Sequence, residues 1–131
     1  MNNMKSSSAN LGRIFKEFGY SLQGLRAAWT HEAAFRQEVW TFLVLVPVTL
    51  TLGLPAIECI VLLAMMAMVL ALELVNSALE AVVDKTCPEH HPLAGRAKDC
   101  GSAAVLVATS ALAVSWLVLA GPAAWRILTG A

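Results

Sequence analysis

Residues 56–85 read AIECIVLLAMMAMVLALELVNSALEAVVDK. From Cys59 to Leu72 no charged side chain occurs, and no Gly or Pro interrupts the run before Pro88. The segment therefore predicts one unbroken apolar helix. As a helix, residues 57–84 extend roughly 42 Å at about 1.5 Å per residue. A bilayer's hydrocarbon core is only about 30 Å thick, so roughly eight residues project beyond it or the helix tilts. Glu73, Asn76, Glu80 and Asp84 fall in that overlong end. With the far end at the lipid border, Glu73 lies just inside the near edge and Glu80 about 10 Å further out. At about 100° per residue the four side chains share a stripe roughly 80° wide. Ser77, Ala78 and Ala81 flank it and let another helix approach closely. A carboxylate in hydrocarbon costs several kcal/mol and marks a functional site by default. The bland alternative is a solvated helix end paired with Lys85 or Lys98. It suits Asp84 best and Glu73, set between Leu72 and Leu74, least.

The rest of the chain agrees with a membrane setting. Hydrophobic residues make up 58% of the 131 residues and charged ones 14%, well below the roughly 25% of soluble domains. The expected architecture is all-α in one membrane domain, 1–131. It comprises a surface helix at about 10–33 and transmembrane helices at about 36–53, 56–85 and 100–121. Pro47 is placed to kink the first span, and Gly53 with Pro55 marks the turn after it. Lys5, Arg13, Lys16, Arg26 and Arg36 precede the first span; Lys85, Arg96 and Lys98 lie between the second and third. Eight of nine basic residues thus predict a cytoplasmic N-terminus and 85–100 loop, with the C-terminus on the other side. Before the first span, Leu11, Ile14, Phe15, Phe18, Leu22, Leu25 and Trp29 line a stripe about 100° wide. Arg13, Lys16, Glu17 and Gln23 lie opposite, as in a helix lying on the membrane surface. No cleavable signal peptide is expected from the polar opening MNNMKSSSAN.

Acidic and basic groups gather at one level. Glu32 and Arg36 precede the first span. Glu89, His90, His91, Arg96, Lys98 and Asp99 occupy the loop before the third. Carboxylates with cations at a membrane surface suit a divalent metal and phosphates. There is no G-x-x-x-x-G-K-[ST] and no G-x-G-x-x-G. A net charge of zero gives no sign of nucleic-acid binding. Cys59, Cys87 and Cys100 form no CxxC pair and read as small buried or interfacial thiols; a zinc site with His90 and His91 is the minor alternative. Composition and spacing support an interfacial site for an anionic ligand and a metal, and name no reaction.

Three stretches carry a resemblance: GLRAAWTHEAAFRQE at 24–38, ELVNSALEAVVD at 73–84 and GRAKDCGSAAVL at 95–106. In order and spacing the chain resembles the prokaryotic diacylglycerol kinases, and its N-terminal half looks more like the Gram-negative members than their undecaprenol kinase relatives. The resemblance implies a homotrimer in the bacterial inner membrane with active sites shared between subunits. It also implies magnesium-dependent transfer of the ATP γ-phosphoryl group to the primary hydroxyl of diacylglycerol, giving phosphatidic acid. By resemblance Glu73 is the general base and Asn76 orients Glu73 or the phosphates. Glu32 and Glu80 hold magnesium and through it ATP, while Lys98 and Arg13 neutralise phosphate charge. Tyr20, Asp99 and the Glu89, His90, His91 stretch line the nucleotide side. Ser102, Arg26, Ala34, Phe35, Arg36 and Gln37, with Glu73, border the lipid. His90, His91 and Cys100 depart from the family pattern. The rival readings are a kinase for undecaprenol or another lipid alcohol, and an oligomeric ion or proton pathway along the carboxylate stripe.

Overall fold

The computed structural model describes residues 3–130, with side-chain surroundings from Gly12 onward. Lys5 and Leu11 lie outside the residues whose side chains are described. The described residues are helical apart from short connections, with no strand among them. The elements are α1 (Asn3–His31), α2 (Ala33–Thr51), α3 (Ala56–Thr86), α4 (Pro92–Ser115), a π-helical turn (Trp116–Ala120) and α5 (Gly121–Thr129). Three helical stretches are long and apolar enough to cross a membrane: α2, α3, and α4 continued through α5.

Local chemistry explains the breaks. Glu32 leaves the helical conformation at φ −104°, ψ 114°, which turns the chain between α1 and α2. Arg36 fixes this corner: its guanidinium donates to the carbonyls of Trp29 at 2.9 Å and Thr30 at 3.3 Å, groups that the end of α1 leaves without amide partners. Trp29 and Trp40 meet across it with centroids 6.0 Å apart. Between α2 and α3, Gly53 takes φ +69°, a conformation that favours glycine. Pro55 then caps α3, its carbonyl accepting from the Glu58 and Cys59 amides.

The connection after α3 is shorter than expected. The charged stretch 85–100 reads as a loop, yet α4 already begins at Pro92. Proline at the first turn loses no helical hydrogen bond. The His91 side chain caps the helix, its Nδ1 accepting from the Leu93 amide at 3.2 Å. Only residues 87–91 connect α3 to α4, so the two lie antiparallel and pack along their length. The third span also runs past 121, to Thr129. Pro122 would clash with a carbonyl one turn back in a regular helix; the π-turn immediately before it widens the register there.

A small core joins α2, α3 and α4: Phe42, Met66, Val69 and Leu112, with Leu62 and Thr49 fully buried nearby. Leu43, Val44, Ile60, Met68, Val75, Val107 and Leu117 face outward. A soluble monomer rarely exposes so much apolar surface, whereas a helix in lipid meets no penalty for it. On α1, the side chains of Ile14, Phe15, Phe18, Leu22, Leu25 and Trp29 are exposed too, and among its described side chains only Ala28 is buried.

Candidate active site

Among the clefts at the end of the bundle that holds Glu32 and the 87–91 connection, two gather most of the charged side chains. The first, of about 460 Å³, lies between α2, α3 and α4. Its wall comprises Glu32, Ala34 and Glu38 from the α2 side, Glu73, Asn76 and Glu80 from α3, and Ser102, Val105, Leu106 and Thr109 from α4. Glu73 is only 5% exposed, the most enclosed charged residue described. Glu32, Glu38 and Glu80 are close enough for their charges to act on it. No Lys or Arg is among the lining residues, so these four carboxylates have no basic neighbour within the cleft.

Asn76 sits at the centre. Its Nδ2 donates to Glu80 Oε1 at 3.2 Å, so the amide orients Glu80 rather than Glu73. Its Oδ1 is buried without a donor and lies against Gly101 of α4. Gly101 has no side chain, and this is what lets α4 close on Asn76.

The second cleft, of about 770 Å³, lies between the end of α3 and the start of α4. Asp84, Glu89, His90, His91, Lys98 and Asp99 line it with Cys87. Lys98 Nζ donates to Asp84 Oδ1 at 2.9 Å. The four-residue stripe of α3 is thus divided: Glu73, Asn76 and Glu80 serve the first cleft, and Asp84 turns to the second. The pairing of Asp84 with Lys98 is the bland alternative considered for that residue. His91 already spends Nδ1 on its helix cap.

Other expected site residues lie apart. Arg13 pairs with Glu17 at 3.5 Å on α1, and Tyr20 is exposed; neither they nor Arg26 lines either cleft. Arg36 is committed to the α1–α2 corner, Phe35 is buried at 5% exposure, and Gln37 points outward. Only Ala34 of that quartet reaches the carboxylate cleft. Cys59 and Cys87 lie at opposite ends of α3, and no group of three His, Cys, Asp or Glu side chains converges on a metal position among the described residues.

The model of the family described as prokaryotic diacylglycerol kinase matches residues 19–120. The chain belongs to the prokaryotic diacylglycerol kinase family. Membership makes it an enzyme, a kinase of that family. It is 46% identical over 116 residues to the diacylglycerol kinase of Escherichia coli (strain K12), covering 88% of this chain and 95% of that protein. With the diacylglycerol kinase of Haemophilus influenzae it shares 43% over 109 residues, 83% of this chain and 92% of the relative. With that of Pseudomonas aeruginosa the figures are 45% over 109 residues, 83% and 89%. The family match spans both clefts entire, from Glu32 to Thr109; Arg13 falls before it.

Glu38 is the cleft carboxylate that the sequence reading missed. Its Oε2 is buried without a partner. A signal existed: Phe35, Glu38 and Phe42 are spaced i, i+3 and i+7, and both phenylalanines are buried. A carboxylate between two inward-facing aromatics on one helix face must itself face inward.

Proposed function

We propose that the protein phosphorylates diacylglycerol with ATP to give phosphatidic acid, at the cytoplasmic face of the bacterial inner membrane, as a homotrimer. The observation that carries this reading is the enclosed Glu73 in a cleft of carboxylates at one end of an apolar bundle. The distribution of basic residues supports the cytoplasmic assignment of that end and a periplasmic C-terminus. The exposed apolar side of α1 supports a surface helix. The separation of Arg13 and Tyr20 from the clefts of their own chain supports sites completed by a neighbouring subunit.

In the reaction, the primary hydroxyl of the lipid enters from the membrane side against Glu73. The carboxylate accepts the hydroxyl proton as the oxygen forms its bond to the γ-phosphorus. The bond from that phosphorus to the β,γ-bridging oxygen breaks, and ADP leaves with the electron pair. Lys98, beside the second cleft, offsets phosphate charge, and Asp99 with the Glu89, His90 stretch borders the nucleotide. Positioning and charge neutralisation do most of the work in such a transfer. Glu32 and Glu80 are hard oxygen donors, and Asn76 holds Glu80 in place. This donor set fits magnesium, which takes few protein ligands and fills its shell with water and phosphate oxygens. Bound with ATP, the ion would supply further neutralisation of phosphate charge.

The test is thin-layer analysis of lipid after incubation with γ-labelled ATP and magnesium, with diacylglycerol and undecaprenol in one micelle population. Labelled phosphatidic acid is the expected product. Labelled undecaprenyl phosphate in its place transfers the reading to the rival acceptor. Ion flux in liposomes without ATP, and no labelled lipid, replaces it with the transport reading. One variant serves as a mild control. The Asp84–Lys98 pair is open to solvent, and such pairs contribute little to folding. Asp84→Asn is expected to hold turnover within about threefold of the wild type and leave assembly intact, measured by the same assay and gel filtration.

A further inference from the structure

Thr109 of α4 is exposed on the wall of the carboxylate cleft and takes no part in the phosphoryl transfer described above. Ser102, Val105, Leu106 and Thr109 recur at i, i+3, i+4 and i+7, so one face of α4 forms this wall. Threonines in helices can satisfy the hydroxyl on the carbonyl four residues back. Six threonines here do so at 2.7–2.9 Å: Thr30, Thr41, Thr49, Thr51, Thr86 and Thr129. Thr109 is the exception among the described residues. Its hydroxyl makes no hydrogen bond to the Val105 carbonyl or to any other group, and its side chain lines the cleft.

Depth matters as much as direction. Asn76 lies against Gly101, and α3 and α4 are antiparallel. Thr109, about two turns beyond Gly101, therefore sits roughly 7 Å deeper along the axis than Glu73. Side chains lean toward the N-terminus of their own helix. Glu73 consequently leans into the bundle and Thr109 leans back out of it, so the two converge on one space.

We propose that Thr109 donates a hydrogen bond to an ester carbonyl of the lipid acceptor, making the enzyme selective for ester-bearing glycerolipids over alcohols that lack one. This rests on the acceptor reading above. In diacylglycerol the nearest ester carbonyl oxygen is five bonds from the reacting hydroxyl oxygen, a span of about 4–6 Å at ordinary bond lengths. With the hydroxyl at Glu73, the ester reaches the level of Thr109. The wall around it is Val105 and Leu106, so the hydroxyl there has no competing polar neighbour on α4. A site built to pair with a substrate polar group discriminates against analogues lacking it.

Kinetics with 1,2-diacylglycerol and 1,2-dialkylglycerol of equal chain length, in mixed micelles, test this. The wild type is expected to prefer the diacyl acceptor. T109V is expected to raise KM for diacylglycerol about five- to tenfold, the loss of one hydrogen bond. KM for the dialkyl acceptor and for ATP should stay unchanged, so the preference collapses; T109S should restore it. Turnover of the dialkyl acceptor by T109V doubles as a check on folding. If T109V shifts both acceptors equally, or neither, the proposal is overturned and the kinase reading stands. If the wild type phosphorylates neither glycerolipid, the acceptor reading fails and the proposal falls with it.

Discussion

Replacing Glu73 by Gln is expected to lower turnover by about 10²- to 10⁴-fold, the range that a positioned general base contributes. The amide keeps the shape of the side chain and loses the capacity to take a proton. Assembly should be unaffected, because the change removes one negative charge from a cleft already shared with Glu32, Glu38 and Glu80. For the same reason the thermal midpoint should hold or rise, the usual trade between stability and an active site crowded with like charge. KM for ATP should change little, since the nucleotide side proposed above is the separate cleft lined by Lys98 and the 89–91 segment. The measurements are radiolabelled transfer in mixed micelles, gel filtration in detergent and a thermal melt. Near-normal turnover would remove Glu73 from the chemistry. Lost turnover together with a lower melting midpoint would instead make Glu73 a structural residue.

Some of this site is legible along the chain and some is not, for definite reasons. Glu73, Asn76 and Glu80 stand out because they interrupt an apolar run, and a helix of fixed pitch puts them on one face. Asp84 obeys the same periodicity yet serves the other cleft, because Lys98 of the neighbouring helix draws it away. Periodicity reports one helix; it contains nothing about which helix stands alongside. Glu38 escaped notice because the run that follows it is apolar and hides its inward face, which only Phe35 and Phe42 betray. The early start of α4 depends on a His91 side chain acting as a cap, a role in which Ser, Thr, Asp and Asn are commoner. The contact between Asn76 and Gly101 depends on the register of α3 against α4. That register follows from a five-residue connection and the packing beneath it, neither of which is a local pattern.

That contact predicts the second large effect. A β-carbon on Gly101 would collide with Asn76 Oδ1, lie 3.3 Å from Asn76 Cγ and sit 3.7 Å from Leu79 Cδ2. Asn76 cannot swing away freely, because Nδ2 is held by Glu80. Gly101→Ala must therefore part α3 from α4 or break the Asn76–Glu80 bond. Overpacking of this kind costs about 1–3 kcal/mol. A misplacement near 1 Å at a positioned group can cost about 10²-fold in rate, so turnover should fall about 10- to 100-fold. Gly95 lies on the same helix, and a β-carbon there would meet nothing within 4 Å. Gly95→Ala should therefore keep or raise the melting midpoint through helix propensity alone. The decisive comparison is the double variant. Asn76→Ala in the Gly101→Ala background removes the clash and should recover the melting midpoint, with a coupling of about 0.5–3 kcal/mol between the two sites. Turnover should not recover, because Glu80 then has no amide to hold it. If Gly101→Ala alone melts and turns over like the wild type, the helices are not closed on Asn76, and the cleft geometry described for Glu73, Glu80 and Ser102 is wrong at its hinge.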